Sequence, residues 1–119
     1  MGDKRRFVLN GYIWSIFPPS GRDETTLLWF GSTLQRDEQY DVPKRAANRI
    51  RHVRVVVNSD VMSRAVSSYS PLLIQKDAHL AITADFREHQ TNQASIYDAV
   101  EIMPYSAELD FTDKPEDWL

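Results

Sequence analysis

Short runs of β-branched and aromatic residues, separated by polar, Gly or Pro punctuation, fill most of the chain, and this pattern predicts strands rather than long helices. Five runs stand out. FVLNGYIWSIF (7–17) alternates Phe7, Leu9, Gly11 and Ile13 against Val8, Asn10, Tyr12 and Trp14, and Pro18 and Pro19 stop it. Gly11 in its middle predicts a sharp bend or bulge. PPSGRDE has the turn residues of a hairpin connection, after which TTLLWFGSTL (25–34) predicts a second strand. The polar stretch QRDEQYDVPKRAAN that follows is too long for a tight turn.

RHVRVVV (51–57) sets Val53, Val55 and Val57 on one face and His52, Arg54 and Val56 on the other, so one face is core and the other largely wet. Asn58, Ser59 or Asp60 is placed to cap a short helix whose apolar stripe is Val61, Ala65 and Tyr69 with Met62 and Val66; Pro71 limits it downstream. A fourth strand spans about 78–87, with Leu80, Ile82, Ala84 and Phe86 inward and His79, Thr83, Asp85 and Arg87 outward. After the polar turn EHQTNQ, SIYDAVEIM predicts a fifth strand. Ile96, Asp98, Val100 and Ile102 alternate there with Tyr97, Ala99, Glu101 and Met103, which leaves open which face is buried.

A chain of 119 residues that is 42% hydrophobic supplies one core, so a single domain is expected over 1–105, followed by an acidic segment over 106–119. The absence of cysteine excludes disulfides and thiolate metal sites, and the expected setting is cytoplasmic. MGDKRRF is followed by no apolar run of signal-peptide length, and nowhere do about 18 apolar residues follow one another. A soluble protein without a membrane span or a cofactor is expected.

Charge is divided unevenly. The whole chain carries −3, but residues 108–119 hold five acids and one base, a net of −4, which leaves 1–107 at +1. Lys44, Arg45, Arg49, Arg51 and Arg54 form a basic run with no acid between Asp41 and Asp60, an electrostatic footprint suited to phosphate. Such a run also serves as a solvated edge that discourages strand pairing.

Three strands, a helix and two strands is the order of the OB fold, an all-β class with small α content: a five-stranded barrel with one helix between strands three and four; the order alone also admits other small β folds. Within RHVRVVVNSDVMSRAVSSYSPLLIQKDAHLAITADFR the spacing resembles the core of bacterial and phage single-stranded DNA-binding proteins. VLNGYIWSI is similar to the first strand of that family, PPSGRDETTLLWF to its P-S-G turn and second strand, and SIYDAVEIMPY to its last. The likeness covers most of residues 6–105. The sequence departs from the family pattern at Asp77 and Ala84, where glycine is usual, and at Asn58, where the family has an aromatic residue. DFTDKPEDWL is similar in form to the acidic, partner-recruiting end of the bacterial proteins, with Trp118 and Leu119 in place of proline and phenylalanine.

The resemblance implies a protein that coats or protects single-stranded DNA in replication or recombination with little sequence specificity, as a homodimer or homotetramer, in a bacterial cytosol or nucleoid and encoded by host, phage or mobile element. Such binding needs cations that track phosphates and flat side chains on which bases stack. The phosphate candidates are Arg36, Lys44, Arg45, Arg49, Arg51 and Arg54. For stacking the candidates are Trp29, Tyr40, His52 and Phe86, then Trp14 and Tyr12; Trp14, Trp29 and Phe86 lie in alternating strands, where core packing or a subunit interface competes with that role. Asp117, Trp118 and Leu119 are the candidates for docking replication or repair proteins.

No catalytic residue or metal ligand is expected, because His52, His79 and His89 are far apart and no H-E-x-x-H or G-x-x-x-x-G-K motif occurs. Asp37, Glu38 and Asp41 beside Arg36 and Arg45 read more naturally as a hydrophilic loop than as a metal-dependent phosphodiesterase site. The alternative function is an OB-fold interaction module of a replication or primosome-type complex with weak affinity for nucleic acid.

Overall fold

Alternating β-branched and aromatic residues favour a pleated backbone that buries every second side chain, and the computed structural model, which describes residues 5–19, 24–32, 52–89 and 94–106, has five such strands. They are β1 (Arg6–Phe17), β2 (Thr26–Gly31), β3 (His52–Val57), β4 (His79–Glu88) and β5 (Ile96–Pro104); helix α1 (Ser59–Ser68) and a single 3₁₀ turn (Pro71–Leu73) lie between β3 and β4. The strands close into a barrel in the order β1-β2-β3-β5-β4, antiparallel except for β3 against β5. This is the OB architecture expected from the strand order.

The core follows the alternation. Leu9 and Ile13 of β1, Leu28 and Phe30 of β2, Val53, Val55 and Val57 of β3, Leu80, Ile82 and Ala84 of β4 and Tyr97, Ala99 and Ile102 of β5 fill the barrel, and Val61 and Ala65 of α1 pack onto them. Asn58 caps α1, its side-chain oxygen accepting from Val61 N at 2.9 Å. That role explains a polar residue where the resemblance implied an aromatic one. Tyr69, expected on the buried stripe, is instead the C-cap and is 49% exposed.

Three bulges break the simple alternation; one lies in β4, where Phe86 pairs with Tyr97 and Glu88 with Ile96, so Arg87 is the extra residue. In β1, Ile13 pairs with Phe30 and Ser15 with Trp29, so Trp14 is the extra residue. The bulge therefore falls three residues after Gly11, where it was expected. Gly11 answers a different need: a Cβ there would lie 2.2 Å from the Gly31 carbonyl oxygen, so it allows close approach of β1 and β2. In β5, Thr83 pairs with Glu101 and Ala84 with Ala99, which makes Val100 the extra residue. Tyr97 and Ala99 face inward before it and Ile102 after it, so neither face of SIYDAVEIM is buried throughout.

On the outer face of the sheet Asp85, itself buried, and Asp98 are opposed across β4 and β5, an arrangement that is repulsive unless compensated. Each has its own cation. Arg6 donates to Asp85 through Nε at 2.8 Å, and Arg87 pairs with Asp98. Among the described residues no helix is long and apolar enough to cross a membrane.

Candidate nucleic-acid interface

The outward positions of β2 and β3 build the site. Trp29 is the register partner of Arg54, and Gly31 that of His52, so alternation puts all four on the outer face opposite Leu28, Phe30, Val53 and Val55. The β1 bulge then lays Trp14 over Gly31, where a Cβ would come within 2.3 to 2.4 Å of the indole. Glycine is required by this close approach. His52 stands between two tryptophans, with ring centroids 5.1 Å from Trp14 at 27° and 5.1 Å from Trp29 at 32°. Trp14 is 5% exposed, and Trp29 and His52 are half-buried.

This three-ring slab borders an open slot of about 180 Å³ lined by Trp14, Ser15, Phe17 and Trp29. Arg54, on the same strand face as His52, directs Nε and Nη2 to the Ala94 carbonyl at 3.1 and 2.8 Å, and its backbone N–H donates to Ser95 O at 2.8 Å. It thus ties β3 to the chain entering β5 while holding positive charge on that face.

A second aromatic group lies across β1, β4 and the end of β5. Tyr12, His79 and Tyr105 stack in line, with centroids 4.2 and 3.9 Å apart and interplanar angles of 21° and 12°. His79 Nε2 is 2.9 Å from Asn10 Oδ1, and burial pushes the imidazole pKa below its ordinary value. A cleft of about 260 Å³ runs between α1 and β5, with Arg64, Tyr69 and Glu101 on its walls.

Of the residues expected from sequence to touch nucleic acid, the structure brings Trp14, Trp29, His52 and Arg54 onto one face. Tyr12 belongs to the second stack instead. Phe86 is not on that face: its ring packs against the core, edge-on to Tyr97 at 5.5 Å, with the Arg5 guanidinium 5.5 Å from its centroid. Its inward position in the β4 alternation accounts for this. Arg36, Tyr40, Lys44, Arg45, Arg49 and Arg51 lie outside the described residues, as do Asp117, Trp118 and Leu119. Sequence reasoning missed Ser15 and Phe17, whose outward turn depends on the bulge, and Tyr105, which carries no signal beyond being aromatic. Among the described residues no group of three or more His, Cys, Asp or Glu is placed to hold a metal ion.

The fold and this face define a five-stranded OB-type barrel with an aromatic patch on its β1–β3 surface. The chain matches no protein-family model and no curated protein. Its fold is similar to crystal structures of the mitochondrial single-stranded DNA binding protein Rim1 from S. cerevisiae. One Form2 structure has a TM-score of 0.54 at 14% identity and covers 87% of this chain and 95% of its own. The Form1 structure has 0.51 at 13%, covering 86% and 96%, and selenomethionine-labelled Form2 has 0.52 at 14%, covering 87% and 96%. At such identity the likeness is one of fold.

Proposed function

We propose that this protein binds single-stranded DNA with little sequence specificity, coating or protecting the strand, and performs no covalent chemistry. The observation that carries the reading is the Trp14–His52–Trp29 slab on the outer face of β1–β3. Flat rings grouped on a strand surface offer stacking to any base, because every base has a π face. The fold shared with the Rim1 structures, which are named as single-stranded DNA binding proteins, supports the same reading. Arg54 supplies charge on the slab's face; the basic run over 44–51 extends that charge along the sequence. Homo-oligomeric assembly, a bacterial cytosol and recruitment of replication or repair proteins through Asp117, Trp118 and Leu119 belong to this proposal and rest on the sequence resemblance.

The test is a titration with oligo-dT of about 30 nucleotides, followed by tryptophan fluorescence at low and moderate salt. Quenching and a steep fall in affinity with salt are expected. Absence of binding at low salt refutes the proposal. One observation favours the interaction-module reading: Tyr69 lines the α1–β5 cleft, and Leu72, three residues further on, is 71% exposed. A chain that fails to bind DNA yet loses a protein partner on Tyr69→Ala substitution fits that second reading.

A further inference from the structure

We infer that the slot lined by Trp14, Ser15, Phe17 and Trp29 seats one unpaired nucleobase, so that a bound strand leaves the slab toward the β1–β2 connection. The inference rests on the nucleic-acid reading above and adds to it a subsite, a direction and a residue, Phe17. It begins with the bulge. In an unbroken β1, Ser15 and Phe17 would share the inward face of Leu9 and Ile13; the extra residue at Trp14 reverses the phase, pairing Ser15 with outward Trp29 and Phe17 with outward Leu27. Ile16 takes the inward place and packs against the core. Three outward residues in four positions then face Trp29 across the strand pair.

The chemistry of the slot suits a base. At about 180 Å³ it falls below the roughly 300–1,000 Å³ of pockets that hold drug-sized ligands, which matches one flat ring system and not a base pair. Its walls are two indoles and a phenyl ring. Phe17 is 50% exposed while its neighbour Ile16 packs against the core, and Pro18 directly after it stiffens the chain there. Phe17 and Trp29 are diagonal neighbours across β1 and β2, a spacing of roughly 7–8 Å between Cα atoms that leaves space between the rings. Ser15 contributes a hydroxyl that both donates and accepts, so it can meet the edge of any base and fits binding without strong sequence choice. None of the four lining residues is charged, so the slot contributes stacking and little counterion release.

The experiment compares wild type, Phe17→Ala, Phe17→Tyr and Trp29→Ala on oligo-dT of about 15 nucleotides across a salt series, with thermal melts and mass in solution for each. Phe17→Ala is expected to lower affinity about five-fold or more, the loss of one stacked base, while keeping the slope of log affinity against log salt; Phe17→Tyr retains the ring and the affinity. Because Phe17 is half exposed, its melt stays near that of wild type. If wild type and Phe17→Ala bind equally while Trp29→Ala binds more weakly, the slot assignment falls and the nucleic-acid reading stands. Failure of wild type to bind overturns both. A halved mass for Phe17→Ala with unchanged affinity assigns the slot to a second copy of the chain and overturns the inference.

Discussion

His52 and His79 are each held between aromatic rings on the outside of the same barrel, yet the two arrangements differ in every dimension. Around His79 the rings are nearly parallel and 3.9 to 4.2 Å apart, the imidazole meets Asn10 Oδ1, and the Tyr105 backbone N–H donates to His79 O at 3.1 Å. The ring faces that meet are spent on one another, and the stack joins β1, β4 and the end of β5. Around His52 the spacing opens to 5.1 Å, the rings tilt by 27° and 32°, and a slot lies alongside. On the proposed function, the closed stack contributes to stability, and the open one, beside a cavity, to binding. Experiments that separate affinity from stability test that distinction.

The largest effect is expected from Gly31→Ala, which strikes the open group alone. Its new methyl must displace the Trp14 indole, since the two would be within 2.3 to 2.4 Å. Overpacking of this kind costs about 1–3 kcal/mol, and dispersal of the slab should lower DNA affinity about ten-fold. Urea unfolding and oligo-dT titration read the two losses. Wild-type affinity in Gly31→Ala would mean that Trp14's placement over Gly31 is irrelevant to binding.

A crossed pair of substitutions comes next. Trp29→Ala should weaken oligo-dT binding by about five-fold or more with a small change in melting temperature, because the ring is half-buried on the outer face. Tyr105→Ala should do the reverse. It removes one stacking partner of His79, worth about 0.5–1.5 kcal/mol beyond the area it buries, and leaves binding unchanged. If both substitutions lower affinity alike, the two groups form one extended binding surface and do not differ in role.

Protonation offers a milder probe of the closed stack. Burial lowers the pKa of His79, so the unfolded chain takes up a proton at a pH where the folded chain has not yet done so. The stability tied to the neutral imidazole is therefore present above the ordinary histidine value of about 6.5 and is lost as pH falls from there through the folded-state value. Chemical unfolding between pH 7.5 and 5.5 should show the loss, and His79→Gln should reduce the slope. An identical slope in the two proteins would remove His79 as its source.

How much of this could be read from the sequence depended on whether a signal was local. The alternation of Val53, Val55 and Val57 against His52 and Arg54 fixed both the position and the faces of β3, and with them the outward aim of His52. The polar run Asn58 to Asp60 marked the helix start as well. The bulges at Trp14 and Val100 left no such trace, because an inserted residue changes pairing without changing composition. Every consequence of the first bulge, from the cover over Gly31 to the slot at Phe17, was consequently hidden. Phe86 carried two signals at once, an inward place in the alternation and an aromatic type suited to stacking, and its ring packs against the core.

The smallest expected effect concerns the turn that delivers His79 to its stack. Resemblance implied a glycine where this chain has Asp77, and the backbone there has φ of 69°, in the left-handed region that glycine occupies without penalty. Asp77 is held in that conformation by its surroundings: its N–H donates to Ile13 O at 2.8 Å, and Ile13 N–H donates to Ala78 O at 3.0 Å, which anchors the turn to β1 beside the bulge. Glycine removes the residual left-handed penalty of aspartate but adds entropy to the unfolded chain, so the two terms partly offset, with the relieved penalty the larger. Asp77→Gly should stabilise the protein by about 0.5 kcal/mol while leaving oligo-dT affinity unchanged. A shift in affinity would show instead that the turn, through its bonds to Ile13, also sets the geometry of the neighbouring Trp14.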